Sequence, residues 1–189
     1  MSSPSTTYAI TLYFDKATTA QIHTLTRNLA AITKNEYMIE NSVPPHLTLG
    51  MFHADDSELE KLKSLFGDFV NTVKNEASQN EFPVFFSGPD NFLDKVIFLK
   101  PTDDCRSLLA HLNELLHKLF LTSFEPADNR NYLPGNWVPH VALAVKLNHQ
   151  AFENGMEFLN KEQKTISGLC VQIGLACCNP YTPVLDFSL

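Results

Sequence analysis

The chain writes one phrase twice, first as Val43-Pro44-Pro45-His46-Leu47-Thr48-Leu49 and again as Val138-Pro139-His140-Val141-Ala142-Leu143. In each copy proline precedes a histidine that opens a run of strand-forming residues. Proline has no N–H, so it fits at the first position of a strand, where the ladder loses least. Such a repetition constrains the fold strongly if the neighbouring elements repeat as well.

They do. Tyr8–Phe14 reads as a strand, and Ile22, Leu25, Leu29 and Ile32 follow at helical spacing. His46–Phe52 is the first motif strand. Leu59, Leu62, Phe66, Phe69 and Val73 mark a second helix, with Ser57 as its expected N-cap. Phe82–Gly88 closes this half as a strand. The second half runs through a strand at Lys95–Lys100, a helix carrying Leu108, Leu112, Leu115 and Leu119, and the motif strand Trp137–Lys146. A helix around Phe152, Met156 and Leu159, a strand over Ser167–Cys177 and a short strand over Val184–Leu189 complete it. The order strand, helix, motif strand, helix, strand therefore occurs twice. The expectation is an α+β fold, one bilobal domain over residues 1–189. Its duplicated β-α-β-α-β halves, about 8–90 and 91–189 with strand exchange open between them, would face antiparallel or mixed sheets onto a central groove.

Alternate residues of a strand share a face. His46 and Thr48 thus project together, with Leu47 and Leu49 turned to the core. His140, Ala142 and Ala144 share a face in the same way. If a pseudo-two-fold axis relates the halves, both histidines face one groove. Two imidazoles across a groove suit phosphodiester chemistry without a metal: one takes a proton from the attacking hydroxyl or water, the other gives one to the leaving oxygen. A hydroxyl two residues from the histidine can donate to a phosphoryl oxygen as charge builds there.

Composition limits the partners. A net charge of −7 and a pI of about 5.4 argue against wrapping a long nucleic acid, yet leave room for a nucleotide or short oligonucleotide. With 44% hydrophobic residues and fourteen phenylalanines, the chain can bury a sizeable core. The polar opening Met1–Tyr8 carries no signal region, and no stretch approaches a membrane span. Cys105, Cys170, Cys177 and Cys178 lack paired zinc spacing, which reads as reduced thiols in a cytoplasmic protein. No metal and no cofactor is expected, and the chain is read as a monomer.

At these residues the chain resembles the 2H phosphoesterase superfamily, in particular its RNA 2′,5′-ligase-like and cyclic-phosphodiesterase-like branch. That family carries two H-h-[T/S]-h motifs, h being hydrophobic. His46-Leu47-Thr48-Leu49 fits fully, Tyr8–Phe14 is similar to the opening strand, and Asn136–His140 to the run into the second motif. The resemblance implies a metal-free hydrolase or transesterase of 2′,3′-cyclic or 2′,5′-linked phosphodiesters in nucleotides or short RNA. It assigns His46 and His140 as the acid/base pair, in either order, and Thr48 as an oxyanion donor. The second motif departs from the pattern, since Ala142 stands where the family has threonine or serine. Losing one oxyanion donor costs about 2.7–4 kcal/mol of transition-state stabilisation. Three readings follow: an enzyme with a replacement donor, a weakened enzyme, or a module that binds nucleotide or RNA without turnover.

Further groove candidates are Thr11 and Tyr13, on one face of the first strand, and Ala142 itself. Trp137 divides evenly between stacking on a base and anchoring the core. Arg130 is the basic residue to expect near a phosphate, against a plain surface role. Phe52 shares the parity of His46 and Thr48, though core is the stronger reading for it. His23, His111 and His117 lie on expected helices with solvated faces, His149 near a helix start, and His53 at odd parity to His46.

Overall fold

The computed structural model describes residues 5–76, 81–162 and 165–189. Met1–Pro4, the first half of the polar opening, lie outside the described residues. The strands are β1 (Thr6–Phe14), β2 (His46–Ala54), β3 (Phe82–Phe92), β4 (Val96–Pro101), β5 (Glu125–Pro126), β6 (Val141–Ala144), β7 (Ile166–Cys178) and β8 (Tyr181–Ser188). The α-helices are α1 (Lys16–Thr33), α2 (Tyr37–Glu40), α3 (Leu59–Glu76), α4 (Asp103–Phe120) and α5 (His149–Glu162). The duplicated order expected from sequence is present, β8 covers most of the expected last short strand and starts earlier, and α2 and β5 are added.

All strand pairings are antiparallel, in the order β5-β2-β1-β7-β3-β4-β6, with β8 also on β7. β7 is the hinge of this arrangement. Its start pairs with β3 and the rest with β1, so each sequence half lends a strand to the other. The helices exchange too: α1 packs on α5 and β6, and α4 on α3 and β2. The sheet curls until β2 and β6, distant in strand order, come into contact.

Helix starts follow local chemistry. Asp15 caps α1 by accepting from the Thr18 N–H at 2.9 Å. At α3 the cap is Asp55 and not Ser57. Asp55 accepts from the N–H groups of Ser57 and Glu58, and Glu58 accepts from the Asp55 N–H at 3.0 Å, a reciprocal capping box. The core stripe of α4 also differs from the leucine pattern. Cys105, Leu109, Leu112, Leu116 and Phe120 are buried, while Leu108, Leu115 and Leu119 flank the core half-covered. Ile32 of α1 lies exposed, and Thr33 takes the buried place.

Both motif strands carry a β-bulge at the last residue of the motif. On β2, Thr48 faces Thr11 and Gly50 faces Ile10, which leaves Leu49 unpaired. On β6, Ala142 faces Phe98 and Ala144 faces Ile97, which leaves Leu143 unpaired. The extra residue shifts the alternation by one. Leu47 and Leu49 are core before the bulge, Phe52 and Ala54 after it, and Met51 turns to the opposite face. Gly50 gives α4 a close approach to β2: a Cβ there would come within 2.8 Å of Leu116 Cδ2 and 3.1 Å of His117 Cε1, so these side chains would have to shift.

One helical histidine contradicts the solvated reading. His117 is only 2% exposed, packed against Phe52 with ring centroids 5.3 Å apart. Its Nδ1 bonds the Asn113 carbonyl at 2.7 Å, and its Nε2 has no partner. Burial holds this imidazole below its ordinary range, a shift the Asn113 bond opposes. The unfolded chain therefore takes up a proton that the folded chain refuses. Stability is full above the ordinary value of 6.5 and declines as pH falls below it. His117→Leu is expected to flatten this decline by at most about 1.4 kcal/mol per pH unit. Urea titrations of both proteins between pH 7 and 5 test it; identical slopes would show that His117 is not the group.

Candidate active site

A groove of about 670 Å³ opens where the curled ends of the sheet approach, with Tyr37 and Met38 of α2 in its lining. His46 and Thr48 enter it from β2, His140 and Ala142 from the second motif, and Thr11 from β1. Trp137 closes one wall.

The two histidines are held in the same way. His46 Nδ1 lies 2.7 Å from the Pro44 carbonyl, and His140 Nδ1 lies 2.8 Å from the Val138 carbonyl. A carbonyl only accepts, so each Nδ1 carries the proton and each Nε2 is left for the groove. The backbone before each histidine supplies that carbonyl two residues back, which gives the Pro-His pair a structural purpose. The second motif strand is shorter than expected from sequence. Trp137 to His140 precede it, and Val145 and Lys146 follow it.

The surroundings of the two rings differ. Thr11 stands opposite Thr48 and Tyr13 opposite His46, so hydroxyls gather near the first ring. His140 sits among aromatic rings: Phe92 at 5.0 Å, Phe98 at 5.2 Å and Tyr132 at 6.4 Å between centroids. Burial lowers the His46 pKa, the bond to Pro44 raises it, and charge on His140 lowers it again. Burial also lowers the His140 pKa, while the Val138 carbonyl and the charge of Asp128 raise it.

The remaining sequence candidates divide. Thr11 is 2% exposed and lines the groove, its hydroxyl 3.4 Å from the Gly174 carbonyl. Tyr13 does not line it. Its ring lies over Gly174 and 6.4 Å from that of His46, and its hydroxyl bonds that of Tyr181, a lining residue, at 2.8 Å. Trp137 packs against the core and also lines the groove, donating from Nε1 to the Thr48 carbonyl at 3.1 Å. That bond ties the approach to the second motif onto the first. Arg130 is exposed and outside the groove lining, because its short 3₁₀ turn, Asp128–Arg130, faces Asp128 inward instead. Phe52 is core, and His53 is exposed outside the groove beside Thr7. Cys105 and Cys170 are buried, whereas Cys177 and Cys178 are half-buried and line the groove.

Sequence reasoning missed Asp128, Tyr132 and Asn113. The first two line the groove, and Asn113 fixes the loop that carries them. The only sequence signal for Asp128 and Tyr132 is an irregular loop too rich in polar and aromatic residues for a plain connection, and Asn113, inside α4, has none. Among the described residues, no group of three or more His, Cys, Asp or Glu is placed to hold a metal ion, and no helix is long and apolar enough to cross a membrane.

An α+β fold with a curled antiparallel sheet and two histidines in one groove defines a class of protein, and comparison with known proteins gives it a family. The family model described as the 2′-5′ RNA ligase superfamily matches residues 14–176, and the chain belongs to that superfamily. No curated protein sequence matches the chain. Solved structures share its fold at low identity. E. coli LigT complexed with 3′-AMP superposes with a TM-score of 0.61 at 16% identity, over 98% of this chain and 99% of that one. Usb1 of Kluyveromyces marxianus gives 0.58 at 15% identity, over 97% and 98%. The MHV ns2 PDE domain gives 0.53 at 12% identity, over 95% and 99%.

Proposed function

We propose that the chain is a metal-independent phosphodiesterase acting on 2′,3′-cyclic or 2′,5′-linked phosphodiesters of nucleotides or short RNA. The observation that carries this reading is the pair of imidazoles in one groove, each pinned through Nδ1 and each presenting Nε2. With a cyclic phosphate seated between them, Nε2 of a neutral His46 takes a proton from water as the water oxygen bonds phosphorus. Nε2–H of a protonated His140 gives its proton to the ribose oxygen as the old P–O bond breaks. Asp128 favours charge on His140, whereas charge on His140 works against a second charge on His46, which gives this order of roles. The Thr48 hydroxyl donates to a phosphoryl oxygen. Free thiols fit a cytoplasmic setting.

The groove also bears on substrate charge. Among the described residues that line it, none is lysine or arginine, and one, Asp128, is an acid. It suits a ligand whose single negative charge is the scissile phosphate, with a neutral body against Val43, Trp137 and Val138. Adenosine 2′,3′-cyclic phosphate is expected to exceed its 5′-phosphorylated counterpart about tenfold in kcat/KM, since an unpaired second anion near Asp128 costs on the order of 1 kcal/mol. Equal rates would remove the charge argument. Turnover of neither cyclic nor 2′,5′-linked substrates, in excess EDTA, would sink the phosphodiesterase reading.

Ala142 favours a second reading, a catalytically impaired module that binds nucleotide or RNA. It requires saturable binding without turnover, and activity created by Ala142→Thr.

A further inference from the structure

We infer that the Tyr132 hydroxyl replaces the phosphate donor missing at Ala142, so that the groove keeps two hydroxyl donors drawn from different elements. The inference rests on the phosphodiesterase reading and names a residue that neither motif contains.

The matching bulges define the missing place. Thr48 and Ala142 occupy equivalent positions, each followed by one unpaired residue and then a re-paired one. Opposite Thr48 stands a second hydroxyl, that of Thr11, and opposite Ala142 stands the ring of Phe98. Neither the second motif strand nor its β4 partner therefore offers a donor at this position. Tyr132 enters from the loop instead. Its ring lies 6.4 Å from that of His140 and lines the same groove as Thr48 and Ala142, with the Thr48 hydroxyl acting on its phenol. Burial pushes its phenol well above the ordinary range, so it stays protonated and able to donate.

A catalytic donor must also be held still. The Asn113 amide, 1% exposed, donates both to the Tyr132 carbonyl at 2.8 Å and to the carbonyl of Leu49, the bulged residue of β2, at 2.7 Å. Five residues on, Trp137 donates to the Thr48 carbonyl. The Ala127 N–H bonds the Met51 carbonyl at 2.9 Å before the loop begins. The segment carrying Tyr132 is thus fastened along the first motif strand at both ends and near its middle.

Tyr132→Phe keeps the ring and removes only the hydroxyl, which separates donation from packing. On a 2′,3′-cyclic nucleotide the variant is expected to lose about 10²-fold in kcat with little change in KM, the usual effect of one oxyanion donor. Tyr132→Phe with Ala142→Thr is expected to recover activity to within about tenfold of the natural chain, as a hydroxyl returns from the strand. A purely structural role for Tyr132 would not be rescued in this way. Retention of at least half the natural kcat in Tyr132→Phe would overturn the inference.

If the natural chain turns over no phosphodiester, the function proposed above fails, and the donor is tested by binding alone. Titration with inorganic phosphate, followed by calorimetry, is then expected to show about tenfold weaker binding for Tyr132→Phe, one hydrogen bond to a charged group. Unchanged phosphate affinity would overturn the inference by this route.

Discussion

His140→Ala is expected to lower turnover of a 2′,3′-cyclic nucleotide by about 10²–10⁴-fold, the contribution of a positioned general acid. His46→Ala is expected to fall in the same range. The double variant should be little worse than the poorer single one, because residues acting as a unit do not contribute additively. The side chains are partly exposed and their Nδ1 bonds are local, so folding should survive either change. Single-turnover rates beside thermal melts measure both effects. Full activity in the double variant would mean that these imidazoles take no part in the chemistry.

The second large effect concerns the core. Phe52→Ala is expected to destabilise the fold by about 3–5 kcal/mol, whereas Met51→Ala should cost far less. Phe52 is fully buried, its ring 4.9 Å from that of Phe120 and 5.3 Å from that of His117. Met51, its neighbour, faces the groove. Strict alternation from His46 would place Phe52 on the groove face, so the contrast between the two variants tests the bulge directly. Equal destabilisation in urea titrations would argue against the shift in parity.

That bulge shows where reading the sequence succeeds and where it stops. The order of elements and the recurrence of Pro-His were legible, because strands, helices and turn residues write periodic signals over short windows. A bulge adds one residue without changing composition, so the side on which Met51 and Phe52 fall was not legible beyond Phe52's preference for the core. His117 looked like any polar residue on a helix, since only the packing of α4 onto β2 decides that it is buried. Arg130 failed for a similar reason. A loop has no period, and the positive φ of Asp128 and Arg130 turns the chain so that the acid faces the groove and the cation leaves it. Asn113 and Tyr132 act across 19 residues of sequence, through a bond from an amide to a backbone carbonyl. No local pattern announces such a bond.

The fastening of the 127–137 segment has a consequence beyond the groove. β2 lies next to the end of the sheet, paired on its outer side with the two residues of β5 and meeting β6 where the sheet curls. Its carbonyls at Thr48, Leu49 and Met51 would otherwise be an open template for a strand from another molecule. Trp137, Asn113 and Ala127 occupy all three. With these carbonyls taken by the loop and by Asn113 of α4, cutting the loop away is expected to open a border for strand pairing at the very strand that bears the first motif, rather than merely widen a cleft.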